Sequence, residues 1–225
     1  MVGDSCTDDT AARIAALGDP RIRFINLPFR GPYPLDDKER WYVAGAPPMN
    51  RGIREARGQW LAPLDHDDEW DDDHLSVLLA HALETHAELV YGRIRTIDGA
   101  TGATGEMGSW PPTRGQFGFL GAIQHHGLKR FEYDLNCRFA DEPGDWNLAR
   151  RMWDAGVRFA FLDRAVATHH HIPKHATRSP EQAQIEELHE WAAQLEEAKE
   201  YWIARAETAE KRLEEIEEQY GRSGN

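Results

Sequence analysis

Between Trp60 and Leu64 a short apolar run stops abruptly in Asp65-His66-Asp67-Asp68-Glu69, and Trp70 closes the block. An apolar segment this short, bounded by polar residues, reads as a buried strand. In an extended chain the side chains at i and i+2 point the same way, so Asp65 and Asp67 are expected to aim two carboxylates at one point beyond the strand's carboxyl end. Open α/β sheets bind ligands in that region. Paired carboxylates suit a hard divalent cation, and such a cation suits a phosphate-bearing ligand. The plainer reading is that the acids cap the next helix, a role open to Asp72 or Asp73.

The flanking segments alternate between helix and strand signals. Asp8-Asp9-Thr10 marks a helix start, Ala11 to Leu17 is helix-prone, and Gly18-Asp19-Pro20 ends it. Arg21 to Leu27 alternates as a strand does, and Gly31-Pro32-Tyr33-Pro34 opens a loop that runs to Arg40. Met49 to Arg57 reads as a helix closed by Gly58. Asp73 to His86 is amphipathic, with Leu75, Leu78, Leu79, Ala82 and Leu83 on one stripe. Leu89 to Tyr91 and Val157 to Leu162 are strands, Asp145 to Ala155 a helix, and Gly99 to Pro112 a hairpin or mobile loop. Strands alternating with helices argue for an α/β fold.

The last stretch differs. Ile185, Leu188, Ala192, Leu195, Lys199, Trp202, Ala206, Ala209, Leu213, Ile216 and Tyr220 recur at alternating spacings of three and four, a heptad seam. It predicts a homodimer through this helix, with a long helix lying on its own domain as the rival. Between Glu181 and Tyr220 there are 13 Glu against 4 Lys or Arg, so most of the chain's net charge of −13 belongs to this stretch. That charge disfavours nucleic acid as a partner. The two cysteines, Cys6 and Cys137, give no disulfide framework and fit a reducing cytosol. No signal segment opens the 225 residues and no apolar run reaches transmembrane length. A cytoplasmic protein is expected, with peripheral membrane attachment open.

Four blocks stand in order along the chain. They are Val2-Gly3-Asp4-Ser5-Cys6-Thr7-Asp8-Asp9-Thr10; Asn50-Arg51-Gly52-Ile53 with Ala56-Arg57-Gly58; Leu64-Asp65-His66-Asp67-Asp68-Glu69-Trp70; and Gly144-Asp145-Trp146-Asn147-Leu148 with Arg151 and Ala155-Gly156. Together they resemble the V-x-D-G-S-x-D-x-T, N-x-G-x-x-x-A-x-G, L-D-x-D-D and E-D-x-x-L-x-x-R-x-x-x-x-G blocks of the family 2 inverting glycosyltransferases. The resemblance implies a GT-A-like mixed sheet flanked by helices over residues 1–178. The heptad helix would follow over 179–220, and a disordered tail over 221–225.

It also implies a function: transfer of a sugar from a nucleotide-diphosphate sugar, a UDP-sugar foremost, to the hydroxyl of a glycan or lipid-linked saccharide. Asp4 matches the position that reads the base or ribose, and Asn50 belongs to a matching nucleotide-sugar block. Asp65 and Asp67 match the site for Mn²⁺ or Mg²⁺ and the diphosphate. A late histidine completes the metal site in several such enzymes, and His171, in the run His169-His170-His171, is the expected ligand here. Asp145 matches the general base, although on its own it reads equally as a helix cap. Trp70 and Trp146 adjoin these acids and are acceptor-side candidates.

Two departures accompany the resemblance. The family's Glu before the base is replaced by Gly144, with Glu142 two residues earlier as a substitute. The family's first strand and helix have no counterpart, so the chain reads as N-terminally truncated, with an open sheet edge and weak nucleotide binding expected. Rival readings are a catalytically degenerate subunit that assembles through its C-terminal helix, and a nucleotide-sugar hydrolase.

Overall fold

The computed structural model describes residues 1–171 apart from Pro32, and single positions between Leu188 and Lys211. The heptad seam as a whole, the boundary near residue 178 and the tail 221–225 lie outside the described residues.

The chain begins with β1 (Val2–Gly3), α1 (Thr10–Ala16) and β2 (Ile25–Asn26), and the two strands form a parallel pair. Then come α2 (Asp37–Val43) and α3 (Ala46–Glu55). The charged run read as loop is thus partly helical, because Asp36 caps it by accepting from the Glu39 N–H at 2.9 Å. The next helix starts earlier than expected. Gly45, at φ 72°, makes the turn, and a proline falls in the first turn, where its missing N–H costs nothing.

The main sheet contains β3 (Trp60–Leu61), β4 (Glu69–Trp70), β5 (Leu89–Asp98), β6 (Thr104–Met107), β7 (Ala122–His125) and β8 (Phe159–His171). Its order is β3-β7-β5-β8-β4, with β6 pairing β5 as a hairpin. Only β5 and β8 run parallel. This pair is the long spine of the sheet, and it corrects two expectations. The strand begun at Leu89 continues to Asp98, and the strand expected to end at Leu162 carries the histidine run inside it.

Helices α4 (His74–Thr85) and α5 (Gly144–Asp154) cover opposite faces of this spine. Successive β5 side chains alternate between the faces. Leu89 and Tyr91 join Phe117, Phe119, Leu148 and Met152 in the core under α5. Val90 joins Leu78, Ala82, Ile123 and Val166 in the core under α4. The stripe expected on α4 is split: Leu78 and Ala82 are buried, while Leu75, Leu79 and Leu83 are exposed. Burial follows His74, Leu78 and Ala82, spaced four apart along one line of the helix. No helix among the described residues is long and apolar enough to cross a membrane.

Candidate active site

The strand that leads into the acids stops pairing at Leu61. Four residues on, the Asp65 carbonyl accepts from the Asp68 N–H at 3.4 Å and closes a turn. Asp65 and Asp67 are therefore not successive same-side residues of an extended chain. The turn lifts His66 to the tip, where its side chain is 95% exposed, and folds Asp68 inward, where only 3% of the side chain is exposed.

Asp68 is the acid that the sequence reading passed over. Its Oδ1 accepts from His169 Nδ1 at 2.9 Å and from the His170 backbone N–H at 3.0 Å. The hydrogen bond to Asp68 is the main reason the His169 imidazole is held above its ordinary pKa. Of the histidine run, His169 is thus the one placed against the acids. His170 has its Nε2 buried without a hydrogen-bond partner, 3.7 Å from Glu69. His171, the expected metal ligand, is exposed at the end of β8, its carbonyl accepting from the Gly99 N–H at 2.8 Å. A strand alternates its side chains, so His169 and His171 share a face while only the first reaches Asp68.

Asp145 opens α5. Its Oδ2 accepts from the Phe119 N–H and its Oδ1 from the Tyr133 hydroxyl, both at 2.9 Å. Burial raises its pKa, and these two bonds oppose the rise. Burial likewise raises the Tyr133 phenol, so the phenol is a donor at neutral pH. Asp65 lies within electrostatic reach of Asp145. Desolvation, followed by the charges of Asp145, Asp68 and Asp67, pushes its carboxyl up to about 6. The residue's outer surface is open to solvent, so the shift reflects a crowded recess rather than full burial. Asp65, Asp67, Asp68, Asp145 and His169 thus form one electrostatic cluster with a surplus of negative charge.

Other expected residues are engaged elsewhere. Asp4 Oδ2 accepts from the Tyr33 hydroxyl at 2.6 Å, and its Oδ1 is buried with no hydrogen-bond partner among the described residues. Asn26 holds the Asp4 loop by a double bond to the Cys6 backbone, at 2.8 and 2.9 Å. Asn50 spends its amide on the backbone of Tyr133, donating from Nδ2 to the carbonyl at 2.9 Å and accepting at Oδ1 from the N–H at 2.7 Å. Trp70 stacks on His74 with ring centroids 4.5 Å apart and donates from Nε1 to the Leu120 carbonyl at 3.2 Å. Trp146 is half-buried beside Asp145.

Glu142, the expected substitute for the family's Glu, is engaged along α5. Its carboxylate accepts from Asn147 Nδ2 at 2.6 Å and from Arg150 at 2.7 and 2.8 Å, which ties it to α5. Gly144 has its own reason: a Cβ there would lie 2.7 Å from the Tyr42 carbonyl oxygen.

Among the described residues no three of His, Cys, Asp and Glu converge on one ion-sized point. The donor chemistry nevertheless suits a hard cation. Asp65 and Asp67 are oxygen donors in a recess whose excess negative charge a divalent ion would neutralise. Asp68 and His169 already satisfy each other.

Residues 38–151 match the family described as Glycosyl transferase family 2. The chain is similar, at 35% identity over 98 residues, to the succinoglycan biosynthesis protein ExoO of Rhizobium meliloti (strain 1021), covering 43% of this chain and 24% of that protein. It is similar, at 35% over 94 residues, to the putative colanic acid biosynthesis glycosyl transferase WcaA of Escherichia coli (strain K12), covering 40% and 29%. The chain thus spans about a quarter of the length of these relatives. Its fold is similar to crystal structures of S. aureus TarS 1-349. The TM-score is 0.55 at 15% identity for the complex with UDP, covering 75% of this chain and 49% of that one. For the complex with UDP-GlcNAc it is 0.56 at 16% identity, covering 80% and 52%.

Proposed function

The chain belongs to glycosyl transferase family 2, and on that premise we propose that it moves a sugar from a UDP-sugar to an acceptor hydroxyl, with inversion and with the help of Mn²⁺ or Mg²⁺. The observation that carries this reading is Asp145: a carboxylate desolvated at a helix start, fixed at both oxygens, and facing a cluster of acids with a surplus of negative charge.

Asp145 serves as the general base. It accepts the acceptor's hydroxyl proton as that oxygen attacks the anomeric carbon from the side opposite the leaving diphosphate, which inverts the centre. A positioned base contributes typically about 10²–10⁴-fold. Its hydrogen bonds to Phe119 and Tyr133 hold it in one orientation and favour its ionised form, opposing the desolvation that raises its pKa. Asp65 and Asp67 would hold the metal, which when bound supplies Lewis-acid stabilisation to the leaving diphosphate. Asp68 orients His169 at the rim of that site. The unpartnered Oδ1 of Asp4 suits a ring N–H or a ribose hydroxyl of the nucleotide. A UDP-sugar is favoured because the similar fold of TarS was solved with UDP and with UDP-GlcNAc. The relatives' roles in succinoglycan and colanic acid biosynthesis favour a saccharide acceptor.

The test is a UDP-release assay with UDP-sugars, Mn²⁺ and candidate saccharide acceptors. Asp145→Asn is expected to lower turnover by about 10²-fold or more while UDP binding persists. Asp67→Ala is expected to remove the Mn²⁺ dependence. Turnover unchanged in both variants would sink the assignment, and free sugar released at a rate indifferent to acceptor would make the chain a hydrolase instead.

A further inference from the structure

We propose that Asn50 is a positioning residue for Asp145, acting through Tyr133, and not a contact for the nucleotide-sugar. The proposal rests on the reading of Asp145 as the base. Asn50 is buried, with 9% of its surface exposed. Its amide makes two bonds to a single residue, one to the Tyr133 carbonyl and one from the Tyr133 N–H, at 2.9 and 2.7 Å. This imitates a strand's ladder pair and fixes the backbone on both sides of Tyr133. The Tyr133 hydroxyl then donates to Asp145 Oδ1 at 2.9 Å. One continuous set of bonds therefore runs from α3 through the loop to the catalytic carboxylate.

The loop has further supports from both helices and from Phe119. The Glu132 carboxylate pairs with Arg54 of α3, and the Glu132 carbonyl accepts from Arg151 of α5. The Tyr133 ring packs edge-on against Phe119 at 5.9 Å, the residue whose N–H holds the other oxygen of Asp145. Base, phenol and amide donor are thus held as one body. Asn50 has one N–H and part of its oxygen's capacity left over, but with 9% of its surface exposed it offers little of either to a ligand.

The experiment uses the full chain with Asn50→Ala, Tyr133→Phe and the double variant. UDP affinity is measured by calorimetry with Mn²⁺. Turnover is read as UDP release from whichever of UDP-GlcNAc and UDP-glucose the native chain consumes. Exchange of the Tyr133 amide is followed by mass spectrometry. UDP affinity is expected to stay within about twofold of the native value. Turnover is expected to fall about tenfold to a hundredfold in each single variant, the scale of a misplaced reacting group. The double variant should fall no further than the worse single, because the two residues act in series. Exchange at Tyr133 should accelerate in Asn50→Ala and not in Tyr133→Phe.

A tenfold loss of UDP affinity in Asn50→Ala, losses that multiply in the double variant, or unchanged exchange overturns the proposal. Should Asn50→Ala fail to fold, Tyr133→Phe keeps the clasp and tests the link to Asp145 alone; native turnover in it also overturns the proposal. Asp145→Asn is run alongside. Full turnover there refutes the base reading itself, and the exchange measurement tells that failure apart from absence of the clasp.

Discussion

Gly144→Ala sets two opposed effects against each other. In an ordinary helix replacing glycine by alanine stabilises by up to about 1 kcal/mol. At the first residue of α5, however, the new Cβ would stand 2.7 Å from the Tyr42 carbonyl oxygen and 3.3 Å from Cδ1 of Tyr133. Neither neighbour is the free end of a flexible side chain. Tyr42 lies in the last turn of α2, and its ring hydroxyl is bonded to Asp141 and to Arg114. Tyr133 is clasped by Asn50 and bonded to Asp145. Because the nearer neighbour is backbone and cannot swing aside, the overpacking falls in the upper part of the usual range, about 2–3 kcal/mol. After the helix gain is subtracted, a net loss of about 1–2 kcal/mol remains. For a chain of this size that is a fall in Tm of about 2–8 °C. The assay is urea and thermal unfolding followed by tryptophan fluorescence. Restoring the family's own residue, Gly144→Glu, should be worse, since it brings the same Cβ and a longer side chain. A Gly144→Ala protein as stable as the native chain, or more stable, would refute the steric account of why this chain departs from the family at the residue before its base.

The remaining predictions concern charge and core. The raised carboxyl of Asp65 favours the folded state at low pH: its contribution is present in full below its unfolded pKa, about 4, and is lost as the pH rises through about 6. Metal-free protein should therefore lose stability on going from about pH 5 to 7; Mn²⁺ should restore it, and Asp65→Asn should flatten the dependence. Mn²⁺ affinity measured by calorimetry should drop as the pH falls through about 6, because the ligand must be ionised; an affinity flat across that range would contradict the crowded-acid picture. In the core, Leu148→Ala removes a fully buried side chain under Tyr91 and should cost about 2–5 kcal/mol in urea unfolding. A loss below about 1 kcal/mol would mean that this layer does not hold the sheet to α5.

The α/β class, the order of the acidic blocks and the helix carrying Asp145 were all legible in the sequence, because each depends on local patterns: apolar runs, turn residues and acids at fixed offsets. The same local reading went astray wherever a partner distant in sequence decides the outcome. It ran the strand to Leu64 and treated Asp65 and Asp67 as extended beyond it, whereas pairing with β7 ends at Leu61 and a turn follows. It placed five apolar residues of α4 on one buried stripe, whereas the sheet covers only the line through His74, Leu78 and Ala82. It gave no reason to single out His169, which β8, running on beside β5, sets against Asp68, 101 residues earlier. Tyr133 carried no signal, since its place beside Asp145 depends on Asn50, 83 residues away. Composition and periodicity specify which residue types face inward and where elements start. Which carboxylate is buried, which histidine reaches it and which amide clasps Tyr133 are set by contacts between elements, and those exist only once the chain has folded.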